Sequence, residues 1–141
     1  MKLRGNNCPV PEINFYTYMN KFFILAGAVS GFLGVSLGAF GAHALKDFLA
    51  VSQRTDTFET AVKYMFYHGL ALILTGILQK EYPVSAINNA GWAFFVGMII
   101  FSGSLFLLCA TGVKMLGAIT PIGGVAMIAG WVLLFWGVYK G

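Results

Sequence analysis

Four long apolar stretches separated by short polar segments set the pattern of this chain. The first runs from Phe22 to Ala42 without a charged side chain, and the second from Ala61 to Leu78 with only Lys63 near its start. A third, Ile87 to Ala110, and a fourth, ending near Tyr139, carry no charge at all. An α-helix rises 1.5 Å per residue, so about 20 such residues cross the roughly 30 Å hydrocarbon core of a bilayer. The pattern predicts helices at about 22–45, 57–79, 87–111 and 116–139. Residues 19–141 form one transmembrane domain in this reading, and residues 1–18 an N-terminal extension. The short connections favour antiparallel neighbours, so the expected fold is all-α: an integral membrane four-helix up-down bundle.

Glycine spacing adds detail inside the helices. Gly27, Gly31, Gly34, Gly38 and Gly41 are spaced 4, 3, 4 and 3 apart. At 100° per residue they fall within about 80° of one another, a stripe along which another backbone can approach closely. In the fourth stretch Gly123, Gly130 and Gly137 are seven apart, as are Gly69 and Gly76 in the second. A seven-residue seam of small residues favours left-handed crossing at about 20°. These glycines are therefore read as glycine-rich helix contacts.

The connections carry their own signals. Asp56-Thr57-Phe58-Glu59 resembles a capping box opening the second helix. Thr120-Pro121 offers two readings: an N-cap followed by proline at the first helical position, or a helix from near Met115 that runs through the proline. Lys46 to Thr60 reads as a polar connection, with Phe48 and Leu49 in the headgroup layer.

Composition agrees with the pattern. Hydrophobic residues make up 58% and charged residues 10%, against about 25% charged in ordinary soluble domains. The net charge of +4 comes from nine Lys/Arg and five Asp/Glu lying between the apolar runs, where lipid headgroups are the natural counter-charge. No basic stripe with interleaved aromatics suits a nucleic acid, so none is expected as a partner. Four spans place Lys2, Arg4, Lys21, Lys80 and Lys140 on one side and Lys46, Arg54, Lys63 and Lys114 on the other. That excess leans towards both termini in the cytoplasm. No cleavable signal peptide is recognisable before Met19. Cys8 and Cys109 are too few for a disulfide framework or a structural zinc site, so no metal is expected.

The polar residues inside the spans are few. Antiparallel threading places His43, His68, Ser102, Ser104 and Thr120 in the membrane half away from the termini, and Tyr64 shares a helical face with His68. The favoured reading is that they hydrogen-bond one another and set helix register. A sharper reading gathers them round a cavity for a lipid headgroup, a quinone or a relayed proton. Haem ligation by the two histidines needs a flat cavity between them, which a histidine at the surface does not provide. No nucleophile–base–orienter set is visible and no carboxylate lies deep in a span, so neither an enzyme nor a cofactor is expected.

Five blocks then carry a resemblance. Gly38-Ala39-Phe40-Gly41-Ala42-His43-Ala44-Leu45, Phe58-Glu59-Thr60-Ala61-Val62-Lys63-Tyr64, Tyr67-His68, Phe101-Ser102-Gly103-Ser104-Leu105 and Ile119-Thr120-Pro121-Ile122-Gly123-Gly124 together resemble the domain-of-unknown-function 423 family. These are uncharacterised small membrane proteins, including transmembrane protein 256 and several bacterial inner-membrane proteins, so the resemblance implies a bacterial inner-membrane location. The resemblance covers about Met19 to Gly137. It implies a four-span membrane protein and no particular activity. Met65 departs from it, standing where the family often has glutamine. The expected role is a scaffold or accessory subunit, as a homo-oligomer or within a larger membrane complex, with membrane lipids as its surroundings.

Overall fold

The computed structural model describes the backbone of residues 15–141 and side chains from Asn20 onward. The expectations resting on Lys2, Arg4 and Cys8 lie outside the described residues. The described chain is helical throughout: α1 (Phe15–Ala42), α2 (Lys46–Val51), α3 (Thr55–Glu81), α4 (Ser85–Thr111) and α5 (Leu116–Lys140). Four helices are long and apolar enough to cross a membrane: α1 from Asn20 to Ala42, and α3, α4 and α5 over their full lengths. They form a four-helix bundle with glycine-rich contacts.

Neighbours in sequence are neighbours in space. α1 packs along α3, α3 along α4, and α4 along α5, while α1 and α5 make at most a passing contact. α3 and α4 are thus the inner pair and α1 and α5 the flanking pair. The core follows from this arrangement: Phe23, Leu72 and Phe94 are fully buried, surrounded by Met65, Met98 and Met127. α1 reaches α4 near its N-terminal end, where Phe22 stacks on Trp92 at 5.2 Å and the Phe23 ring lies over Gly91. Such ring pairs add to the packing beyond their buried area.

Glycine makes the closest approaches possible. A Cβ at Gly27 would strike the carbonyl oxygen of Gly69, and one at Gly123 would lie 2.5 Å from the backbone nitrogen of Phe101. These two points close the α1–α3 and α4–α5 crossings. The rest of the α1 stripe is uneven. A Cβ at Gly41 would meet the Phe58 ring at 2.6 Å, at Gly34 the Phe66 ring at 3.3 Å, and at Gly38 only Val62 at 3.5 Å; Gly31 faces open space. In α5, Gly130 lies under Phe94 and Gly137 under Ile87.

Three local details differ from the sequence pattern, and a fourth decides between two readings of it. First, α1 includes Phe15 to Met19, inside the stretch read as extension, where no proline interrupts it. Second, the connection after α1 contains α2, which buries Leu49 against Phe58 and Cys109 rather than leaving it among headgroups.

Third, α2 ends in a Schellman motif that leads straight into α3. The Arg54 N–H donates to Leu49 O (2.9 Å) and the Gln53 N–H to Ala50 O (3.1 Å), with Gln53 left-handed at φ 53°. α3 therefore starts at Thr55 without a side-chain cap, and Asp56 lies in its first turn, where its charge favours the helix dipole instead of capping. Fourth, α5 runs from Leu116 through Pro121 unbroken. The proline removes only one N–H near the helix start, so Thr120 is not an N-cap and its hydroxyl is free to turn sideways.

Candidate functional site

The polar residues singled out from the sequence separate into distinct ties. His68 is the middle residue of α3, Thr55–Glu81, and not a residue of its outer half. Its side chain is buried. Nδ1 lies 2.9 Å from the carbonyl oxygen of Tyr64, and the Trp131 Nε1–H donates to Nε2 at 3.4 Å. A carbonyl can only accept and an indole N–H can only donate. The pair of bonds therefore requires the neutral Nδ1–H tautomer, with both ring nitrogens engaged. Tyr64 stacks nearly parallel on the imidazole, at 5.9 Å and 10°, and Phe94 packs against it from α4. The Tyr64 ring itself is half open to the surroundings.

Ser102 of α4 donates to the carbonyl of Ala61 on α3 at 2.8 Å. Ser104, two residues on, faces α5. Its hydroxyl donates to Phe101 O at 2.9 Å and lies 2.8 Å from Thr120 Oγ1. With one proton on each hydroxyl, the consistent chain runs from Thr120 to Ser104 to Phe101. These groups are buried and mutually satisfied, which removes the penalty for placing hydroxyls at membrane depth.

His43 stands apart. It sits in the turn between α1 and α2 and is exposed. Neither principal cavity of the described residues is lined by both histidines, nor by His43 with Ser104 or Thr120. The geometry thus brings Ser104 to Thr120 and Tyr64 to His68, ties Ser102 to the α3 backbone, and leaves His43 outside. It does not place the six residues round one cavity, and the free N–H groups that open α5 lie a turn and a half before Pro121, at Leu116.

Other groups emerged only in three dimensions. Arg54 turns inward and donates from Nη1 to the carbonyl of Cys109 at 3.1 Å. Cys109 is one of the last residues of α4, so the guanidinium caps an orphan carbonyl and meets the negative end of that helix. Gly112, at φ 79°, ends α4 directly beside this guanidinium. On the terminal side, Gln79 is fully buried and donates to Asn88 Oδ1 at 3.3 Å. The sequence contained no sign of the Trp131 bond, because nothing local states which face of α5 meets α3. Arg54 had a weak sign: a lone cation just before a helix, in a connection too short to leave it far from the bundle.

The chain was compared with known proteins against this geometry. A family model described as "Protein of unknown function (DUF423)" matches residues 37–124, from the end of α1 into α5. A UPF0382 membrane protein of Staphylococcus haemolyticus is 44% identical over 120 residues, covering 85% of this chain and 97% of that one. The UPF0382 membrane protein YwdK of Bacillus subtilis is 42% identical over 115 residues, covering 81% and 93%. A further UPF0382 membrane protein, from Staphylococcus epidermidis, is 46% identical over 114 residues, covering 81% and 92%. No solved structure matches the chain.

Proposed function

The chain belongs to the DUF423 family of membrane proteins of unknown function, and from that premise we propose that it is a non-enzymatic scaffold or accessory subunit of a membrane assembly. We place that assembly in the bacterial cell membrane, with both termini cytoplasmic. One observation carries the reading: the buried polar groups of α3, α4 and α5 at His68, Ser102, Ser104 and Thr120 are bonded to protein. Catalysis needs a group whose proton or lone pair is available to a substrate. Here those atoms tie helices together.

The flanking helices supply the surface for a partner. α1 exposes Leu25, Val29, Phe32 and Val35, and α5 exposes Ile128, Val132 and Phe135. In lipid such faces associate through packing rather than through water exclusion. Native mass spectrometry from mild detergent, preceded by cross-linking in the membrane, tests the proposal. A defined homo-oligomer or a stoichiometric membrane neighbour is expected. A monomer carrying a stoichiometric organic small molecule other than a membrane lipid overturns it in favour of a binding module. Sidedness is read by external labelling of Lys21→Cys and Lys140→Cys, both expected to be protected in intact cells, with Lys114→Cys labelled.

A further inference from the structure

At the opposite membrane face from the termini, α1, α2 and α3 enclose an open cavity of about 430 Å³. Its lining changes character with depth. Lys46, the first residue of α2, and Thr55, the first of α3, stand at the mouth; Glu59 follows one turn in, and Lys63, a turn below that, also lines the cavity with its ammonium drawn back to Glu59. Phe58, Val62 and Gly38 form the apolar wall. Thr55 and Val62 are seven residues apart, so the cavity descends roughly 10 Å along the helix axis. Its polar end is at headgroup level and its apolar end in hydrocarbon.

The charges are unequal. Lys63 reaches back one turn to Glu59, Nζ to Oε2 at 3.0 Å, and this is the only ion pair among the described residues. Those two charges offset each other. Lys46 has no carboxylate within ion-pair distance, and Asp47 and Asp56 do not line the cavity. The mouth therefore carries one net positive charge above an apolar slot. A soluble anion satisfies the mouth alone, and a bare hydrocarbon satisfies the slot alone.

We propose that this cavity seats an anionic phospholipid, its single phosphodiester charge at Lys46 and Thr55 and an acyl chain along Gly38 and Val62. Charge complementarity selects the lipid class: a zwitterionic headgroup brings its own cation to a mouth that is already positive. The glycine keeps the slot open, since a Cβ at Gly38 has only Val62 in contact, at 3.5 Å, and a larger side chain there extends into the slot.

The test uses the full-length protein reconstituted in bilayers mixing phosphatidylglycerol with phosphatidylcholine, and native mass spectrometry counts the lipids retained on release. One phosphatidylglycerol per chain is expected, retained in preference to phosphatidylcholine. Lys46→Gln should lower that retention about fivefold, the effect of one lysine near an anionic headgroup. Lys114→Gln, removing an exposed lysine from the same membrane face, should leave it unchanged. Gly38→Val should reduce retention by filling the slot while the charges stay in place. Equal retention of both lipids by the unaltered protein overturns the proposal, and so does an equal loss with Lys46→Gln and Lys114→Gln. Glycerol phosphate, which has the phosphate without the chains, should not be retained; binding comparable to the lipid would also overturn it.

Discussion

Among the described residues, two backbone positions are held in the left-handed region, one by the wrong residue for it and one by the right one. Gln53 occupies the left-handed position that ends α2, at φ 53°. Side chains other than glycine adopt this conformation at a cost. Gln53→Gly should therefore stabilise the protein by about 0.5–1 kcal/mol, the relief of strain exceeding the added freedom of the unfolded chain. A rise in melting temperature in detergent would register it. Gly112 is the reverse case. It has φ 79°, and a Cβ there would lie 2.9 Å from an Arg54 guanidinium nitrogen. Gly112→Ala should cost about 1–3 kcal/mol, because it combines backbone strain with displacement of the arginine that caps α4. An unchanged melting temperature would show that the α4 terminus yields freely.

Among the elements, the α1–α3 crossing depends on one glycine far more than on its stripe. Gly27 meets backbone and Gly31 meets nothing within 4 Å. A rigid carbonyl cannot move aside as a side chain can, so Gly27→Leu should force the helices apart and cost about 1–3 kcal/mol or abolish folding. Gly31→Leu should be tolerated. Thermal stability and detergent elution of the two variants side by side check the contrast; equal effects would mean that α1 packs with a different rotation. The sequence marked both glycines as the same kind of contact. Periodicity identifies a face about 80° wide, whereas contact follows the narrower seven-residue line of Gly27, Gly34 and Gly41, and Gly31 and Gly38 lie to one side of it.

For the molecule as a whole, the His68–Trp131 bond spans α3 to α5 across the α4 layer, linking two helices that otherwise pack little. At 3.4 Å it is a long bond, so its coupling should be small, about 0.6 kcal/mol by comparison with other interhelical bonds in membranes. A double-mutant cycle with His68→Gln and Trp131→Phe measures it directly, and a coupling indistinguishable from zero would remove the bond from the forces holding α5. The sequence by itself determined that the chain is helical, that it crosses the membrane four times, and which family it resembles. Each follows from runs of apolar residues and from local motifs, and lipid leaves the backbone almost no alternative to helix. It also identified Ser104, Thr120 and His68 as buried polar groups, since such residues stand out in apolar surroundings. Which of them meet was decided by tertiary structure alone. The rotation of each helix about its axis depends on where Gly27 and Gly123 let backbones touch. Arg54 joined α4, and His43 was left at the surface, because short connections place neighbouring helices side by side without stating which side chains turn between them.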